Sequence, residues 1–185
     1  MKKFVLIAAA VALVPAAANA QDFTGGRAEL RVGWETPTVS GGGEVFKIGS
    51  GPSFGGEVGA DFRLGRTVVA GPYATFEAST VKECEEGDCL KVDNSFAAGG
   101  RVGFQVGGNG LIYGKLGYAR IKLTAEDETF SESETEGGIE GGLGFEMNFG
   151  RIAYGKIEAT YADYGKFFGI NLQRRHVAAG VGLRF

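Results

Sequence analysis

The sequence runs to 185 residues, a length normally served by one domain, and holds 33 glycines against 4 prolines with no collagen-like period. Aromatic residues make up 11%, too many for a disordered glycine-rich chain. A formal net charge of -3 without a basic stripe leaves no footing for a nucleic-acid partner.

The first twenty residues read as a targeting segment. Lys2 and Lys3 form a positive start, residues 4–14 an apolar core, and Pro15 breaks the run. Ala18-Asn19-Ala20 then supplies a small-x-small cleavage site before Gln21. The apolar core is shorter than the roughly 20 residues a helix needs to span a bilayer. Residues 1–20 are therefore expected to be a signal peptide and residues 21–185 a single exported domain. Removing Lys2 and Lys3 from the 19 basic residues leaves 17 against 22 acidic ones. No other long apolar run follows, so the mature chain is a soluble exported β-protein or a membrane barrel.

Successive side chains of a strand point to opposite faces, so alternation marks strands. Residues 27–34 set Ala28, Leu30, Val32 and Trp34 against Arg27, Glu29, Arg31 and Gly33. A Gly/Ser/Thr-rich loop is expected over 36–51. Residues 56–64 place Val58, Ala60, Phe62 and Leu64 opposite Glu57, Gly59, Asp61 and Arg63, before a tight turn at Gly65-Arg66. Residues 67–79 form a strand of open register, because Val68, Val69, Tyr73 and Phe76 do not share a parity. A polar loop over 80–92 carries both cysteines. Residues 95–106 alternate again, and Gly107 to Gly110 turn the chain.

Residues 111–123 are a second strand of open register. An acidic loop over 124–136 holds Glu126, Asp127, Glu128, Glu132, Glu134 and Glu136 around Phe130. Residues 137–149 alternate cleanly, with Ile139, Leu143, Phe145, Met147 and Phe149 on one face. Gly150-Arg151 is a tight turn, residues 152–164 are a strand and residues 165–171 a loop. The last strand, 172–185, sets Val177, Ala179, Val181, Leu183 and Phe185 against Arg174, His176, Ala178, Gly180, Gly182 and Arg184.

Eight strands joined by alternating short turns and long polar loops are the signature of an antiparallel up-and-down transmembrane β-barrel. Short turns then face the periplasm, both termini with them, and the long loops face outward. Trp34, Tyr113, Tyr154, Tyr161 and Tyr164 are expected in interfacial girdles. Lipid takes the apolar faces. The opposite faces put Glu29, Arg31, Glu57, Asp61, Arg63, Arg101, Glu140, Glu146, Lys156, Glu158, Arg174 and Arg184 in the lumen. An eight-stranded barrel has room for side chains and little else, so these charges are expected to pair in a polar plug. A narrow porin-like channel is the alternative, and a soluble ligand-binding barrel the rival at the level of fold.

The terminal pattern Gly180-x-x-Leu183-x-Phe185 and the strand around Ile157-Glu158-Ala159-Thr160-Tyr161 carry a resemblance to a known family. Over the whole mature chain the sequence resembles the small eight-stranded outer-membrane barrels that include opacity proteins and the OmpA transmembrane domain. The resemblance implies location in the outer membrane and contact with its lipid and lipopolysaccharide. It also implies that Gly180, Leu183 and Phe185 are read by the barrel-assembly machinery. Ala178 departs from the polar residue this signal often has. Nothing follows Phe185, so the cell-wall anchoring of full OmpA proteins is not expected to carry over.

Cys84 and Cys89 enclose Glu-Glu-Gly-Asp, and a close pair in an exported chain reads as a disulfide. The spacing does not match a calcium loop, and no cofactor motif appears. Lipid A deacylases share the architecture but use a His-x-Ser pair, whereas His176 is followed two positions on by Ala178. A hydroxyl nucleophile needs a base within hydrogen-bond reach, and Ser40, Ser50 and Ser53 are distant in sequence. A non-enzymatic structural or surface barrel is therefore expected, with adhesion through its long loops. The small channel is second and a lipid A-modifying enzyme third.

Overall fold

The computed structural model describes residues 23–41, 44–85, 88–126, 131–167 and 170–185. The expected signal peptide lies outside them, as do Glu86, Asp127, Glu128 and Phe130. Ten strands follow one another: β1 (Gly25–Gly41), β2 (Glu44–Lys47), β3 (Gly51–Arg63), β4 (Val68–Ser79), β5 (Lys82–Glu85), β6 (Asp88–Val106), β7 (Gly110–Glu126), β8 (Ser131–Phe149), β9 (Ala153–Phe167) and β10 (Ile170–Arg184). Eight of them form the antiparallel wall, and β10 returns to pair β1 from Arg27↔Arg184 to Ser40↔Asn171. Closure removes the sheet edges that a membrane cannot satisfy.

Alternation drives the wall. Leu30, Leu143 and Val181 stand 74%, 71% and 68% exposed on the outer face, where lipid receives them. Their sequence neighbours Glu29, Arg31 and Gly180 turn inward and are buried. Glycine at 107 and 150 takes positive φ (63° and 72°) in the short turns, which is why these connections can be so tight.

The two strands of open register acquire one. In β4, Val69, Tyr73, Thr75 and Glu77 face inward. In β7, Leu111, Tyr113, Lys115, Ala119 and Ile121 face inward while Ile112, Leu116 and Tyr118 meet lipid. Both faces of β7 are apolar because its ends contribute to two apolar layers inside the barrel. Phe23, Val69, Leu111 and Tyr113 pack across the short-turn end. Ile48, Val81, Val92, Ile121, Tyr164 and Leu172 belong to the layer at the long-loop end.

These layers correct the expected girdle. Tyr113, Tyr154 and Tyr164 are at most 4% exposed and lie in the lumen, whereas Trp34, Tyr118 and Tyr161 face outward. The strands are also longer than alternation alone indicated. The expected loop over 36–51 is the end of β1 and the hairpin to β2, and that over 80–92 is β5 with the start of β6. In the acidic segment, β7 runs on to Glu126 and β8 begins at Ser131. Cross-strand ladders continue past the lipid zone because Thr, Val and Ser there still suit a pleated surface.

Leu143 sits mid-belt, opposite Gly114 of β7 and Ala159 of β9. Leu143→Arg is expected to lose about 2–4 kcal/mol of stability, as charged substitutions do near a bilayer midplane. Urea titration of the barrel folded into lipid vesicles measures this; an unchanged midpoint would place Leu143 away from the midplane.

Candidate functional site: the lumen and its caps

Glu57 of β3 is the hub of the interior. Its carboxylate accepts from Arg27 Nη1 at 2.5 Å, Arg31 Nη1 at 3.0 Å, Lys156 Nζ at 3.0 Å, Lys115 Nζ at 3.2 Å and the Thr75 hydroxyl at 2.9 Å. The register creates this convergence, since Glu57 lies opposite Glu29 on β1 and Thr75 on β4. Glu158 of β9 is a second hub, accepting from Arg31 Nη2 and Lys115 Nζ at 2.8 Å each and from the Tyr113 hydroxyl at 2.7 Å. Lys156 also reaches Glu29 at 2.7 Å, and the Tyr154 hydroxyl donates to the same carboxylate at 2.9 Å.

Two further groups flank this centre. Toward the short turns, Arg101 donates through Nε to Asp61 Oδ1 at 2.8 Å and through Nη1 to Glu146 at 3.0 Å, and Arg184 bonds both carboxylates. Toward the long loops, Arg174 bridges Glu35 at 2.5 Å and Glu77 at 2.8 Å. Ionised carboxylates and guanidinium groups in such geometry form the stronger class of hydrogen bond. The buried cations Arg27, Arg31, Arg101, Lys115, Lys156, Arg174 and Arg184 face the carboxylates Glu29, Glu35, Glu57, Asp61, Glu77, Glu140, Glu146 and Glu158. Near-balance of sign is what makes a dry interior of this kind tolerable.

Glycines make room for the large groups. A Cβ at Gly59 would lie 2.6 Å from the Arg27 guanidinium, and one at Gly182 would lie 2.5 Å from the Tyr154 ring. At Gly144 it would run into the Tyr113 ring. What space remains near Arg31, Glu77, Lys115, Glu140, Arg174 and His176 is a cavity of about 10 Å³, no more than one water.

Eleven of the twelve charges read from strand parity lie buried in the lumen, Glu140 with its nearest cation, Lys115 Nζ, at 3.9 Å. Arg63 does not. It has the parity of Asp61 but sits where β3 runs out beyond the barrel, exposed, with Nη1 donating to the Arg66 carbonyl at 3.0 Å. Sequence reasoning missed Glu35, Glu77 and Lys115, and it put Arg27 on the polar face of its strand without counting it among the lumen charges. Glu77 and Lys115 were hidden by the open registers of β4 and β7, although the alternation of Tyr73, Thr75 and Glu77 against Ala74, Phe76 and Ala78 carries the signal. Glu35 lies one position beyond Trp34, where the reading of alternation in that strand stopped.

His176 is 2% exposed, and closure brings it to Ser53 of β3, Nε2 to Oγ at 2.9 Å. Glu77 Oε1 lies 3.5 Å from the same nitrogen. A hydrolytic triad needs its acid on the ring nitrogen turned away from the hydroxyl, to hold the tautomer. Serine and glutamate here address one nitrogen, deep in the wall. That arrangement satisfies a buried histidine and differs from the geometry of a hydrolytic triad. Among the described residues, no three His, Cys, Asp or Glu side chains form a group that could hold a metal.

Cys84 and Cys89 are bonded across the β5–β6 hairpin, where they lie directly opposite one another. A ring this small adds about 2 kcal/mol in the loop-entropy account. Gly180 is buried opposite Arg31 and Lys156, and Leu183 faces outward. Phe185 is tied to Gly26 by paired backbone bonds, its N–H donating at 2.9 Å and its carbonyl accepting at 2.7 Å.

A closed eight-stranded wall with an apolar exterior and a paired ionic interior defines a small outer-membrane barrel. The chain belongs to the family described as outer membrane protein beta-barrel domain, which it matches over residues 4–185. Comparison with curated protein sequences gave no match. Among solved structures, it is similar to Ail, the attachment invasion locus protein of Yersinia pestis, in complex with the heparin analogue sucrose octasulfate. Identity is 16% and the TM-score 0.60, over 87% of this chain and 99% of that one. Neisserial surface protein A is similar at 14% identity and TM-score 0.57, over 85% and 97%. OprG of Pseudomonas aeruginosa is similar at 15% identity and TM-score 0.56, over 90% and 99%.

Removing one partner from a buried charge cluster strands the others, at about 3–5 kcal/mol. Glu57→Gln is expected to lower stability by that order, read from the urea midpoint of the folded barrel. A loss below about 1 kcal/mol would mean that the four cations around Glu57 find other partners.

Proposed function

We propose that this protein is a non-enzymatic, non-conducting barrel of the outer membrane, which stabilises that membrane and presents its long-loop end as a surface for adhesion. The observation that carries this reading is the filled lumen. Ion pairs occupy its middle, apolar layers lie across both ends, and the cavity near Glu77 and Glu140 has room for one water. Conduction needs a string of sites weak enough to be left, and a carboxylate held by four cations is the opposite. The shared nitrogen in the Ser53, His176 and Glu77 contact argues against a lipid A-modifying enzyme.

The outer wall supports contact with lipopolysaccharide. Arg120 and Arg175 are exposed two residues beyond Tyr118 and Val177 on the lipid-facing side, toward the long-loop end. At about 3.4 Å per residue this lifts their charges out of the hydrocarbon toward the phosphates of the outer leaflet. Ail was solved with an anionic sugar bound, which favours a surface-ligand role for a barrel of the same build. Export proceeds by cleavage after Ala20, and Gly180, Leu183 and Phe185 are the signal offered to the assembly machinery.

Refolded mature barrel in a planar bilayer is expected to be electrically silent. Steady, ion-selective openings would overturn the sealed-lumen reading and put the channel first. Phe185→Ser is expected to lower the amount of barrel in the outer membrane several-fold on fractionation, and unchanged amounts would remove the terminal residue from the assembly signal.

A further inference from the structure

Beyond the lipid zone the wall divides into two ribbons. Strands β9, β10, β1 and β2 stay paired on one side, and β5, β6, β7 and β8 on the other. The divide between β8 and β9 is abrupt. β8 pairs with β7 from Gly110↔Met147 to Glu126↔Ser131, but its pairing with β9 ends at Ile139↔Asp163. The cause lies in β9. Gly165 takes φ +78° and donates its N–H to Asp163 Oδ1 at 2.9 Å, and the strand then follows β10 through Asn171↔Lys166 and Ile170↔Phe167.

Gly138 still lies against the β9 backbone at Asp163 and Tyr164, and residues 131–137 of β8 are left with no strand paired on their outer side among the described residues. The edge runs over residues 131–137, about 24 Å at the usual rise. Edges elsewhere at this end are shorter: β2 and β5 have four residues each, and β5 is stapled by Cys84–Cys89. Short or fastened edges are how sheets avoid unwanted pairing. β8 has neither protection.

Its sequence, Ser-Glu-Ser-Glu-Thr-Glu-Gly, selects what can pair there. Period 2 from the inward Glu140 puts Glu136 and Glu134 on the lumen-side face, with Thr135 and Ser133 on the other. Glu134 is exposed and Glu136 half-buried, and their neighbours across the strand on β7 are Leu123 and Ile121, not cations. A second copy is a poor occupant. Antiparallel self-pairing about Glu134 would set Glu134 against Glu134 and Glu136 against Glu132, and like charges directly opposite destabilise.

We propose that the β8 edge over residues 131–137 is a docking strand for an extended segment of a partner protein carrying lysine or arginine at alternate positions. Backbone hydrogen bonds along the edge would supply affinity, and the carboxylates the choice of partner. The inference deepens the surface role proposed above, and its test reads binding rather than conductance, so either can fail alone.

The test uses mature barrel in lipid nanodiscs and three nine-residue peptides: alternating Lys-Thr, alternating Glu-Thr, and Lys-Thr with every backbone nitrogen methylated. The Lys-Thr peptide is expected to bind at least tenfold tighter than the other two, with amide shifts confined to residues 131–137. The double variant E134K/E136K changes side chains outside the packed lumen and should reverse the preference toward the Glu-Thr peptide. Equal binding of the methylated peptide would reduce the contact to charge attraction and overturn strand addition. Absent binding of the Lys-Thr peptide, shifts elsewhere on the barrel, or self-association through the edge would overturn it as well.

Discussion

Everything in this barrel depends on Glu57 and the cations around it. An interior of eight strands offers no bulk water, so each charge must find its opposite in another strand. Arg27 and Arg31 come to Glu57 from β1, Lys115 from β7 and Lys156 from β9. The wall is thereby tied through its centre as well as around its circumference. The same demand fixes register. A slip of one residue in β1 would turn Arg27, Glu29 and Arg31 into lipid and strip both arginines from Glu57 and one from Glu158. Hydrocarbon outside and unpaired charge inside penalise the same error, so the two faces specify one alignment.

Filling the lumen is a problem of volume as well as charge. Several of the large side chains reach inward over a neighbouring strand that lacks a Cβ, as at Gly59 beside Arg27 and Gly182 beside Tyr154. The high glycine content is therefore a packing feature, with the conformational role limited to turns such as Gly107 and Gly150. Apolar residues then cover the network at both ends, and the polar centre is cut off from solvent. Desolvation strengthens each ion pair inside, and the same burial leaves no chain of exchangeable sites along the axis. Stability and silence have a common origin here.

Strands with one apolar and one polar face were legible from the amino acids: β1, β3, β6, β8 and β10 have the orientation their alternation implies. β4 and β7 were not, because Val69, Leu111 and Ile121 are apolar residues that face inward, and hydrophobicity cannot separate a lipid contact from a lumen cap. Lys115 and Glu77 were lost with those registers. Tyr113, Tyr154 and Tyr164 misled for a related reason, since a phenol suits a membrane interface and a charged lumen equally well. Arg63 has the correct parity but lies past the end of the wall, and parity carries no information on depth. The contact of Ser53 with His176 is a product of closure, between residues 123 apart in sequence, and no local pattern announces it.

The long-loop end shows how a closed barrel comes to have an edge at all. Inside the membrane every strand must be paired, because lipid satisfies no backbone group. Past the lipid zone water can do so, and the constraint lapses. The departure of β9 at Gly165 uses that freedom: one left-handed residue, fixed by the Asp163 carboxylate, sends the strand after β10 and leaves β8 with a free side. An edge of this length would ordinarily invite copies of itself. Carboxylates at every second position set that pairing against electrostatic repulsion while leaving the backbone donors and acceptors in place. The acidic stretch of β8 thus excludes its own kind and stays open to a cationic strand.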